Sequence, residues 1–143
     1  IALARNCGME YSRTVEATGS FAIPEDFMKW HPTAHHNGDL KKLWEQFMTR
    51  DFQQMLLFYI WGHSFEFDGA DNWEVMEGFC KMAGGREDIW YASNIEIKDY
   101  ITASRSLVYS ADMKMIYNPS CMDVWVSVDE EPVCVQAGHL WKG

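Results

Sequence analysis

Apolar positions recur along the chain with two different periods, and their alternation predicts a protein of mixed helices and strands. Leu40, Leu43, Trp44, Phe47 and Met48 fall at i, i+3, i+4, i+7 and i+8, which is one face of an amphipathic helix. Asp39 stands where an N-cap is needed. A second helical face carries Trp73, Met76, Phe79 and Cys80. It is opened by Asp71-Asn-Trp-Glu74, which has capping-box spacing, and closed by Gly84-Gly85. A third runs through Ile97, Tyr100, Ile101, Ser104 and Leu107, behind a second capping box at Ser93-x-x-Glu96. Residues Ile1–Cys7 read as the end of another helix, with Gly8 in the place of a left-handed closing residue.

Strand signals lie between these helices. Met9–Thr14 reads as a short strand. Gln54–Trp61 is apolar on both faces, as expected of a strand covered on both sides in a parallel sheet. It stops at Gly62, where a polar and aromatic loop runs to Asp68. Ile89–Ala92 reads as a short buried strand. The stretch Ser20–Gly38 holds Pro24 and Pro32 and predicts a loop with a short strand near Phe27–His31. Beyond Ser110 the pattern changes to short strands at Met113–Tyr117, Val124–Val128 and Val133–Gln136, with turns at Asn118-Pro119 and Asp129-Glu130. The organisation is therefore an α/β portion over 1–110 and a β-rich C-terminal tail over 111–143.

Composition narrows the function. The 143 residues are 48% apolar and 23% charged, which argues against disorder. A net charge of -9 argues against nucleic-acid binding, because no basic excess exists to meet phosphates. No stretch approaches the roughly 20 apolar residues of a membrane span, and no basic, apolar leader is visible. Cys7, Cys80, Cys121 and Cys134 form no CxxC pair and no structural zinc spacing, so reduced, mostly buried thiols and a cytoplasmic setting are expected. Aromatic residues reach 15%, with 7 Trp, which suits either a sugar-stacking cleft or an ordinary core.

Four groups of residues could carry chemistry. His63 follows the predicted buried strand and precedes a helix, and loops at the carboxyl ends of strands face the active sites of α/β proteins. Histidine titrates near neutrality and serves there as a general acid or base. Glu66 and Asp68 stand close enough in sequence to orient its ring. The plainer role is a histidine that ties down a loop through a backbone hydrogen bond. His35-His36, with His31 nearby, form the second group. Neighbouring strand residues point to opposite faces, so both could serve one metal only from a loop. No Asp/His set of recognised metal spacing accompanies them, and one buried, one exposed histidine is the ordinary alternative. Arg13 could clamp a carboxylate or pair with Glu10 or Glu16. Trp30, Trp61, Phe65 and Phe67 gather around the same predicted face, where sugar stacking competes with core packing.

Five segments in order carry a family resemblance: Gly8-Met-Glu-Tyr-Ser-Arg-Thr14, Pro32-Thr-Ala-His-His36, Phe58-Tyr-Ile-Trp-Gly-His-Ser-Phe-Glu-Phe67, Asn72-Trp-Glu74 and Ile89-Trp-Tyr-Ala-Ser-Asn-Ile-Glu-Ile97. Together they resemble the C-terminal half of a polysaccharide deacetylase of the NodB-homology type, carbohydrate esterase family 4, over Ile1 to about Gly138. The resemblance implies part of a distorted (β/α) barrel and a bacterial hydrolase that removes acetyl groups from a carbohydrate with the help of a divalent metal, zinc or similar. It implies that His63 protonates the leaving amine, and that Trp30, His36, Trp61, Phe65 and Arg13 face the sugar. The family's Asp-Asp-Gly motif, which bears the base and a metal ligand, and its His-bearing second motif are absent from this sequence. No metal ligands are therefore expected in this chain. The contrasting expectation is a non-catalytic fragment or carbohydrate-binding remnant. Half a barrel leaves strand edges and apolar faces that self-association into a homo-oligomer would cover.

Overall fold

A computed structural model describes residues 1–50 and 55–143. Gln54, the first residue of the expected long strand, lies outside them. The described residues form a mixture of short helices and short strands in three small sheets, none of which closes into a barrel. They divide into two compact units, Ile1–Trp90 and Tyr91–Gly143. The sequence placed a boundary near residue 110 instead.

The first unit opens with α1 (Ala2–Asn6). Gly8 (φ +81°) closes it: Gly8 N donates to Arg5 O and Met9 N to Ala4 O, the paired bonds of a Schellman motif. The chain then runs extended. Thr14 N donates to Trp30 O and Trp30 N to Ser12 O, so Arg13 and Trp30 form a lone parallel bridge where a longer strand was expected. Phe27–Lys29 turn as a single 3-10 helix, because the Asp26 carboxylate accepts from Met28 N and winds the chain there. The short strand expected at 27–31 is thereby limited to the bridge at Trp30.

Strand β1 (Ala34–His35) pairs in parallel with β2 (Ile60–Trp61). Thr33 supports this pairing from the interior: its backbone N donates to Tyr59 O, and its hydroxyl accepts from Tyr59 N and donates to Ser20 O. The residues from Leu56 to Trp61 are half-buried and Met55 is exposed. The expectation of a strand covered on both faces is not met. Phe58 of the apolar run packs against Phe21 and against Trp44 and Phe47 of α2 (Leu40–Met48), and the neighbouring Tyr59 against Trp30. Helix α2 keeps the predicted face and cap: Leu40, Trp44 and Phe47 are buried, and Asp39 accepts from Lys42 N.

The segment after Gly62 is α3 (Ser64–Ala70) rather than a loop. Asp71 ends it in the left-handed region (φ 49°), so Asn72, not Asp71, precedes α4 (Trp73–Ala83). Of the expected α4 face, Met76 and Phe79 are half-buried, but Trp73 and Cys80 are exposed. Ile89–Ala92 is not a strand, and Trp90 and Tyr91 are exposed.

In the second unit, α5 (Asn94–Arg105) starts at the predicted box: Ser93 N and Oγ both donate to Glu96 Oε2, at 2.7 and 2.6 Å. Its Ala103 and the following Leu107 pack with Ile116, Val124 and Val135, which is why the helix groups with the β tail. Strands β3 (Val108–Tyr109), β4 (Met115–Tyr117) and β7 (Leu140–Lys142) make one antiparallel sheet, and β5 (Val124–Val128) and β6 (Glu131–Val135) a hairpin. The hairpin turn is the predicted Asp129-Glu130, with φ of 50° and 69°, the two left-handed residues of a type I′ turn. All four cysteines are unpaired, but Cys7, Cys80 and Cys121 are exposed, against the expectation of burial.

Candidate functional site

The parallel pair β1–β2 brings the two histidine-bearing segments to one end. His35 lies opposite Trp61, and His36 N donates to Trp61 O at 2.9 Å. Just beyond, His63 caps α3 and Glu66 occupies its first turn. Glu66 reaches back: its Oε2 accepts from His63 N at 2.9 Å and contacts His63 Nδ1 at 3.3 Å. The same oxygen lies 3.3 Å from His35 Nε2 and 3.6 Å from His36 Nδ1. Three imidazoles therefore converge on one carboxylate oxygen. The His63 amide, its ring and the neighbouring His35 favour the ionised form, so the Glu66 carboxyl titrates below the usual glutamate range. An ionised carboxylate only accepts, which assigns the proton on His63 Nδ1 toward Glu66.

No family model, no curated protein and no solved structure matches this chain. Its chemistry is therefore read from the site alone.

The adjacent histidines do not diverge as strand neighbours would. Strand β1 ends at His35 and the chain turns at His36, so the alternation stops there. Their rings lie 4.2 Å apart, centroid to centroid. His36 is 1% exposed and packed on Phe67 at 4.2 Å, and among the described residues neither ring nitrogen has a hydrogen-bond partner. Gly62 makes room for it: a Cβ there would land on the His36 ring, against Nδ1 and within 2.8 and 2.9 Å of Cε1 and Cγ.

The other expected site residues separate into two groups. Trp30 is 1% exposed and packs edge-on with Phe27 and Tyr11 and beside Tyr59. It and His36, both expected to face a sugar, are enclosed by neighbouring protein side chains. Trp61 is half-buried, and the Arg13 guanidinium lies over its ring at 4.2 Å while donating to Thr14 O. Arg13 thus covers an aromatic face rather than holding an acid. Phe65 is 68% exposed and stacks beside His63, with centroids 5.1 Å apart. His31 is engaged elsewhere, 2.9 Å from Thr14 Oγ1. Asp68 accepts from Trp73 Nε1 at 2.8 Å, so Glu66 alone of the two candidate acids orients His63. What sequence reasoning missed is the joint gathering of His35, His36 and Glu66. The signal in the sequence is the adjacent pair His35-His36, which no Asp/His set of recognised metal spacing accompanies.

Proposed function

We propose that the chain is the C-terminal portion of a carbohydrate deacetylase-like hydrolase, part of a distorted (β/α) barrel, in which His63 moves the proton to the leaving amine. The observation that carries this reading is the His63–Glu66 pair at the carboxyl end of the parallel strands β1 and β2. Glu66 holds Nδ1–H, which leaves Nε2 as the nitrogen that exchanges a proton. The ring is 48% exposed, so a substrate can reach it. Phe65, stacked beside the ring and open on its other side, supplies an apolar face for a sugar, and Trp61 with Arg13 stands next to it.

The resemblance implies a divalent metal held by motifs that this sequence does not contain. The family's ligands therefore do not fit this chain, and no step here runs through that metal. The test is turnover of an acetylated chito-oligosaccharide by the parent protein. His63→Ala should reduce it by about 10²–10⁴, the usual weight of a general acid. Near wild-type turnover would remove His63 from the reaction. A reading frame upstream of Ile1 that encodes the Asp-Asp-Gly and His-bearing motifs supports the enzyme; a start codon close to Ile1 counts against it.

A further inference from the structure

We propose that His35 Nε2, His36 Nδ1 and Glu66 Oε2 form a binding site for a divalent transition-metal cation, zinc by its donor set. One ligand atom from each of the three residues lies within 4.8 Å of the other two. Bonds of about 2.0–2.2 Å at tetrahedral angles place neighbouring donors about 3.3–3.5 Å apart. The two measured edges to Glu66, 3.3 and 3.6 Å, are already of that length. The third edge, between the rings, closes by drawing the imidazoles together. Two histidines and one glutamate are a recurring set for zinc sites that leave a fourth position open.

The buried His36 points independently to a ligand. Its two ring nitrogens are both buried and, among the described residues, without a hydrogen-bond partner, a condition that native interiors rarely leave unexplained. Its Nδ1 faces Glu66 without donating to it, and a cation there would engage that lone pair. An absent side chain at Gly62 keeps the position open for the ring. His63 completes the arrangement from outside: its amide and Nδ1 fix the carboxylate, as outer groups do around bound metals. Before binding, Asn37 N donates to His35 Nδ1, which puts the hydrogen of a neutral ring on Nε2. A cation on Nε2 requires the other neutral tautomer, with the hydrogen on Nδ1, so the Asn37 N–H bond is given up on binding.

The site shares Glu66 with the hydrolase reading but does not rest on it, and its test needs no turnover. The full chain is alkylated at its thiols, so that Cys7, Cys80, Cys121 and Cys134 cannot contribute, and stripped with a chelator. Zinc is then titrated by calorimetry, and cobalt(II) by the visible absorption of a low-coordinate site. One equivalent per chain is expected. Loss of an outer partner costs about 10–100-fold in affinity, so His35→Ala and Glu66→Gln, each losing a ligand, should cost more than roughly 100-fold. Glu66→Gln conserves size and keeps the comparison valid if His35→Ala fails to fold. His31→Ala and His139→Ala should bind as wild type. Absence of stoichiometric binding, or binding that survives Glu66→Gln, overturns the site.

Discussion

Gly62→Ala is the sharpest test of how the histidine end is built. The added Cβ would meet Cε1 and Cγ of His36 at 2.8 and 2.9 Å, whereas carbon atoms rest at about 3.5–4.0 Å. Nδ1 would be closer still, so the ring would have to retreat by more than about 1 Å. It has nowhere to go, since Phe67 and His35 both lie against it and it is 1% exposed. Overpacking of this kind costs about 1–3 kcal/mol. Gly62 is not in the left-handed region, so alanine also returns about 0.4–1 kcal/mol by restricting the unfolded chain. The net loss should be about 1–2 kcal/mol. For a unit the size of Ile1–Trp90, each kcal/mol moves Tm by about 4–8 °C, which gives a drop of roughly 5–15 °C. Thermal melts followed by circular dichroism would read it. The double variant Gly62→Ala/His36→Ala should recover part of the loss relative to the sum of the singles, because the clash partner is gone. A single variant that melts with wild type, or strictly additive effects, would refute the close approach of Gly62 to His36.

Other consequences are open to the same instruments. Trp30→Ala should cost about 3–5 kcal/mol as a core truncation, while Phe65→Ala should stay within about 0.5 kcal/mol; the reverse order in chemical denaturation would return Trp30 to a binding role. Asn118, fully buried, donates to Met122 O and Val135 O and accepts from Ser120, so Asn118→Ala strands several groups at about 1–3 kcal/mol each. A drop below about 1 kcal/mol in the melting of Tyr91–Gly143 would show that the network is dispensable. The Ser93 hydroxyl and amide hold the Glu96 carboxyl below its usual range on folding, so its stabilisation of α5 is present at neutral pH and disappears as acid protonates it. The stability difference between wild type and Glu96→Gln should therefore shrink towards low pH; a difference that grows there contradicts the assignment.

Local chemistry was legible in the sequence, and long-range chemistry was not. The caps Asp39 and Ser93, the closing Gly8 and the turn Asp129-Glu130 all act on neighbours within a few residues, and each does what its type dictates. The Leu40–Trp44–Phe47 face depends only on helical period. Two failures were local, α3 in place of a loop and Asp71 ending that helix rather than capping α4; the others came where a distant partner decides. The run to Trp61 looks like a long, doubly covered strand, yet only Ile60–Trp61 pair as strand, and the residues from Leu56 stay half-buried. Trp30 and Trp61 are alike as letters, but one is enclosed by Phe27, Tyr11 and Tyr59 and the other lies under Arg13. Glu66 meets His35 and His36 through the parallel register of β1 on β2, a pairing that no local spacing announces. Gly62 read as a strand stop, and its second role became visible only with the ring it accommodates.

A single oxygen, Glu66 Oε2, faces three imidazoles and one amide. It cannot satisfy all of them at full strength, so these partners share it by thermodynamic linkage. A cation drawn to His35 and His36 would take electron density that now holds His63. A ligand that restrains His63 would change cation affinity by the same factor in return. The proposed cation site therefore predicts one coupled unit, in which a change made at any of the three rings is felt at the other two through Glu66.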